Sequence, residues 1–106
     1  MSETENLSIK FWATCRVLDK SENPRAYPIK VGLRANLFIN QVYCISEVQK
    51  CANPIFPEEI GELFIYAIIL KEELSLFSKG EAFELREAPK TIAHCEIISE
   101  VEILGE

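Results

Sequence analysis

From Leu7 to Val17 the chain alternates between two sets of side chains for five full repeats. Leu7, Ile9, Phe11, Ala13, Cys15 and Val17 share one parity, and Ser8, Lys10, Trp12, Thr14 and Arg16 share the other. A helix would scatter these apolar residues around its axis, whereas a period of two lines them along one face of a strand. The pattern therefore demands a sheet with one covered face. It recurs from Val31 to Asn40, with Val31, Leu33, Ala35, Leu37 and Ile39 reading inward and Gly32, Arg34, Asn36, Phe38 and Asn40 outward. The last strand places Ala93, Cys95, Ile97, Val101 and Ile103 on one parity and His94, Glu96, Glu100 and Glu102 on the other.

Between these segments lie breaks of recognisable chemistry. Asp19 to Pro24 is a loop by composition, and Asn53-Pro54 with Phe56-Pro57 brackets another connection. Val42 to Val48 reads as extended, continuing the preceding strand past a bend or bulge near Asn40-Gln41. Gly61-Glu62 is expected to turn the chain into Leu63–Leu70, whose unbroken apolarity predicts a strand covered on both faces. Lys71 to Lys79 reads as a short helical turn or an irregular loop. Gly80 then opens a hairpin that runs through Phe83 to Arg86-Glu87, turns at Ala88-Pro89 and returns through Lys90-Thr91. Five or six strands without a long segment of 3.6 period predict an antiparallel barrel or sandwich, and closure into a barrel also removes exposed edges. The expected fold is all-β: one small antiparallel six-stranded β-barrel over residues 7–106, behind a flexible N-terminus at residues 1–6.

At 106 residues the chain is sized for a single domain, which at this length buries roughly two-thirds of its unfolded surface. The longest apolar run, Leu63 to Leu70, is far short of the roughly 18 residues of a membrane span. The polar, acidic opening Met1 to Asn6 lacks the chemistry of a signal peptide. A cytoplasmic protein without membrane contact is expected. Cys15, Cys44, Cys51 and Cys95 form no C-x-x-C pair and the chain has a single His, so they read as free thiols that pack like small hydrophobes, with no metal and no cofactor. The net charge of −6 hides an asymmetry: residues 7–50 carry seven basic and three acidic side chains, residues 80–106 two basic and seven acidic. Lys10, Arg16, Lys20, Arg25, Lys30 and Arg34 could face a polyanion, but the acidic whole disfavours nucleic acid, and solvated strand faces account for them more simply. No G-x-x-x-x-G-K-[ST] loop is present to cradle nucleotide phosphates.

Chemistry-bearing clusters are sparse. His94 adjoins Cys95, yet neighbours on a strand point to opposite faces and cannot share a proton. Glu96, Glu100 and Glu102 read as a solvated face. No catalytic residue is expected, and the chain does not read as an enzyme. Trp12 and Phe38 fall outward with Arg16 and Arg34 on the same sides of their strands. If the two strands are neighbours, these four make an aromatic–arginine patch of the kind that anchors protein interfaces. The competing arrangement folds the loop at 49–61 over the rings.

The order and spacing of these pieces resemble the third domain of elongation factor Tu, the C-terminal β-barrel of that translation GTPase. Val17-Leu18-Asp19-Lys20 is similar to the end of the family's opening strand. Pro28-Ile29-Lys30-Val31-Gly32-Leu33-Arg34 follows its pattern of Pro, an apolar pair, Gly, an aromatic residue and Arg before an extended apolar strand. Gly61-Glu62 stands where the family has a Gly-Asp turn, Gly80 to Phe83 and Arg86-Glu87 stand in register with its Gly and Arg-Glu, and Lys90-Thr91-Ile92 replaces Arg-Thr-Val. The departures are Ala88-Pro89 for Gly-Gly, and Ala93-His94-Cys95 where small residues, two of them Gly, let RNA backbone approach. The resemblance implies a barrel without its GTPase, acting as a non-catalytic protein-binding module such as a mimic, decoy or immunity-type protein. The alternative it implies is a retained RNA contact, tRNA-like, through Arg34, Lys90, Thr91 and His94.

Overall fold

The computed structural model describes residues 5–18, 28–87 and 90–104. Seven strands are present among them: β1 (Asn6–Val17), β2 (Arg34–Ile39), β3 (Val42–Lys50), β4 (Ile60–Leu70), β5 (Ala82–Glu87), β6 (Lys90–Ile97) and the short β7 (Glu102–Ile103). A 3₁₀ turn at Lys71–Leu76 joins β4 to β5. All pairings between strands are antiparallel. Running β4-β3-β2-β5-β6-β1, with β4 pairing back onto β1, the sheet closes into a six-stranded barrel. Closure leaves the ring of six without a free edge. β1 is the seam: β4 lies along its whole length on one flank, while β6 and then β7 share the other.

The alternation in β1 is realised residue by residue. Leu7, Ile9, Phe11, Ala13, Cys15 and Val17 are all buried, and they meet Leu63, Ile65, Ala67 and Ile69 of β4, Leu37 and Ile39 of β2, and Ala93, Cys95 and Ile97 of β6. Each large aliphatic or aromatic side chain removed from water in this way contributes roughly 1.5–3 kcal/mol. Phe11 is the hub, with ring centres 6.1 Å from Phe77 and 5.7 Å from Phe83. Ser46 is the buried polar residue among those described, and its hydroxyl donates to the Ala35 carbonyl at 2.8 Å. All four cysteines are free thiols, three of them buried, and Cys15 stands directly across from Cys95. Burial, reinforced by the Glu73 carboxylate, pushes the Cys44 thiol up to about 12.

Several expectations are corrected. Asn40-Gln41 is a two-residue hairpin turn with φ of 46° and 69°, not a bend, so β3 runs back along β2 from Ile39 opposite Val42. Two adjacent positive φ values are the signature of the turns that match strand twist, and Gln is an unusual residue for the second position. Val31 is 56% exposed because the chain turns at Gly32, φ 97°, and the strand starts only at Arg34. Gly61-Glu62 lies inside β4 and not in a turn, and the outward side chains Phe64, Tyr66, Ile68 and Leu70 are half-buried, not covered. Ile92 is an extra residue in β6, between Leu85 opposite Ala93 and Arg86 opposite Thr91, so Ile92 and Ala93 are both buried. The parity of the last strand ends at Ile97: Val101 is half-buried and Ile103 exposed on β7. Glu5 and Asn6 of the expected flexible N-terminus are engaged, Asn6 in β1 opposite Leu70 and Glu5 accepting from the Lys71 N–H at 2.8 Å. Residues 1–4, the loop expected at Asp19 to Pro24 and the turn at Ala88-Pro89 lie outside the described residues. No helix among the described residues is long and apolar enough to cross a membrane.

Candidate functional site

The four residues expected to form one patch are divided between two sides of the barrel. β2 is three strands from β1 whichever way the ring is followed, so Trp12 and Arg16 face away from Arg34 and Phe38. The patch is corrected on this ground: its condition, that the strands be neighbours, is not met. Each half instead finds partners of its own.

On the β1 side, Trp12 stands opposite Phe64 of β4, ring centres 5.0 Å apart. Its backbone is held on the other flank, where its N–H donates to Ser99 Oγ at 2.8 Å and its carbonyl accepts from Ile98 at 2.9 Å. Lys50 and Lys10 lie over the Phe64 ring at 5.0 and 5.9 Å. The connection between β3 and β4 folds towards this surface without closing over it. It is pinned by Ile55, which exchanges backbone hydrogen bonds with Ile29 at 2.9 Å and packs so closely on Gly61 that a Cβ there would come within 2.5 Å of its Cδ1. Glu58 and Glu59 are bonded in turn to Val17 at 2.8 and 3.1 Å. The result is a groove of about 360 Å³ with Trp12 on one wall, Pro54 and Ile55 on another, and Ile60 and Glu62 of β4 along its edge. Trp12 is half-buried, and Ile60 is 70% exposed. Arg16 is exposed and pairs in register with Ile60.

On the β2–β5–β6 side the charges answer one another. The Arg86 guanidinium lies 3.9 Å from the Phe38 ring centre and 5.6 Å from that of Tyr43, and donates to the Tyr43 hydroxyl. Its Nε donates to Glu84 Oε1 at 2.8 Å, which also accepts from Thr91 Oγ1 at 2.8 Å. Burial pulls the Glu84 carboxyl up, but the hydrogen bonds from Thr91 and Arg86 and the positive charge beside it outweigh that, holding it below the usual range. Arg86 is held up in turn, chiefly by its bond to Glu84. The four residues expected for RNA contact share this side. Thr91 is bonded to Glu84, Arg34 reaches Glu47 at 3.7 Å, Lys90 is paired in register with Glu87, and His94 Nδ1 is 3.9 Å from Glu84 Oε2.

His94 is exposed while Cys95 is buried on the opposite face of β6, as alternation requires. A hollow of about 200 Å³ does border His94, Glu84 and Cys95, but the imidazole is beyond hydrogen-bond reach of the carboxylate, and burial raises the Cys95 thiol well above its ordinary value. Among the described residues no three His, Cys, Asp or Glu side chains gather into a set able to hold a metal. Sequence reasoning missed Phe64, Tyr43, Arg86, Glu84, Glu59 and Glu62. The Glu84–Arg86–Thr91 set was within reach of the hairpin register, whereas Phe64 and the groove depend on β1 pairing with β4 across more than fifty residues. A scan against models of known protein families finds no match, and a search of curated proteins finds none.

Proposed function

We propose that this chain is a non-catalytic protein-binding module that docks its partner through the Trp12 groove. One observation carries the reading: a large indole stands half-open at the wall of a roomy groove on a barrel whose interior is packed with apolar side chains. Tryptophan in such a position supplies rigid contact area at little entropic loss, the property of interface anchors. The closed six-stranded barrel is also the architecture implied by the resemblance to the third domain of elongation factor Tu. On that resemblance, the module acts as a mimic, decoy or immunity-type protein in the cytoplasm. The RNA alternative gains no support from the geometry, because each of its four residues is paired with or faces a carboxylate. Affinity capture with wild-type, Trp12→Ala and Phe38→Ala baits, followed by binary titration of any captured protein, tests the reading. A partner lost on Trp12→Ala and kept on Phe38→Ala is expected; a partner indifferent to Trp12, or RNA shifted in a gel with steep salt dependence, would overturn it.

A further inference from the structure

We infer that the occupant of the Trp12 groove is a cationic side chain, an arginine or lysine carried on an extended segment of the protein partner. The inference rests on the reading of the groove as a docking site and adds its chemistry. Two carboxylates, Glu59 and Glu62, line the groove with the indole, and among the described residues no cation lines it. Glu59 uses Oε1 to accept from the Phe56 N–H at 2.9 Å, leaving its second oxygen open, and Glu62 has no partner among the described residues. An indole face beside carboxylates is complementary to a guanidinium or ammonium, which gains from the ring quadrupole and from the charges together. The adjoining ring shows the same preference: Lys50 and Lys10 both settle over Phe64, 5.0 Å from Trp12, so the intramolecular cations are placed on that ring and the indole groove is left to another. The volume of about 360 Å³ falls within the range of small-ligand sites. An acidic chain of net charge −6 also draws a basic partner at long range.

Trp12 is the single tryptophan of the chain, so its fluorescence reports on the groove directly. The probes are a short blocked peptide with one central arginine and its lysine, norleucine and glutamate counterparts, titrated into the full chain. Saturable changes in emission are expected with arginine and lysine only, weakening at least about fivefold in the E59Q/E62Q double variant and again in high salt, as two exposed carboxylates would produce. Circular dichroism verifies that the double variant is folded. Equal binding of the norleucine peptide, tighter binding of the glutamate peptide, no response to any peptide, or an affinity unchanged in E59Q/E62Q would each overturn the cationic occupant. A captured protein that still requires Trp12 but ignores both carboxylates would overturn it while leaving the docking reading intact; one that ignores Trp12 removes that reading itself.

Discussion

The two outer faces of this barrel use nearly the same ingredients and end in opposite states. Around Arg86, aromatic rings, a cation and a carboxylate close on one another: Arg86 lies on Phe38 and Tyr43 and is bonded to Glu84, and Thr91 takes part of the same carboxylate. Around Trp12 the same kinds of group stay apart, with lysines on Phe64 and the carboxylates of Glu59 and Glu62 across a groove. A closed network holds strands together and has little left for a partner. An open one contributes less to folding and keeps its capacity for a ligand. Residue type alone therefore does not separate a structural cluster from a docking surface; whether the local charges are already paired does.

The sharpest way to break the comparison is to remove the wall that keeps the groove open. Ile55→Ala takes away the buried side chain lying on Gly61, and a loss of about 2–4 kcal/mol in denaturant unfolding is expected, together with weakened partner binding. A loss under about 1 kcal/mol would mean the connection is held by something else. Trp12→Ala should weaken partner binding by about 2 kcal/mol, roughly thirtyfold, in a calorimetric titration while lowering stability by less. If stability falls more than affinity, Trp12 belongs with the structural cluster and the contrast fails. Arg86→Ala should do the reverse, lowering the midpoint of denaturant unfolding with partner affinity unchanged, because it strips a stacked cation and leaves Glu84 with Thr91 as its remaining side-chain hydrogen-bond donor. Lysine at the same position should not restore it, since the planar fork makes both contacts.

The smallest effect is the pH dependence of Glu84. Its folded pKa lies below the usual carboxylate value, so its contribution is complete above about pH 4.3, the unfolded value, and disappears as pH falls through the lower folded one. Glu84→Gln should therefore trail wild type by about 1 kcal/mol at pH 7, and the gap should close below about pH 4 in parallel melts. A gap that persists into strong acid would assign the loss to packing.

Much of the architecture could be read from the chain because alternation is a local signal. Leu7 to Val17 and Ala93 to Ile97 announce their inner faces without knowing their neighbours. What escaped depended on groups distant in sequence or on backbone shape. Asn40-Gln41 reverses the chain through two positive φ values without a glycine, so turn chemistry gave no clear sign of a hairpin. Gly61 reads as a turn residue because a glycine that admits a neighbouring side chain looks the same in sequence as one that bends the chain. Trp12 reads as an outward residue, but parity says nothing about strand order, and order is what parts it from Phe38 and matches it with Phe64. The loop at 49–61 is open to either arrangement in the sequence, and the groove it forms arises where the Ile29–Ile55 bridge brings this connection alongside β4.

The position of β1 at the seam also has a consequence for synthesis. Of the seven strands β1 is synthesised first, and it takes its hydrogen-bonding neighbours from β4, β6 and β7. Until those emerge, a nascent polypeptide carries a long ribbon of Leu7, Ile9 and Phe11 with both flanks bare. During that interval it is vulnerable to pairing with the wrong chain, so its yield in the cell should depend on how quickly β4, β6 and β7 follow it.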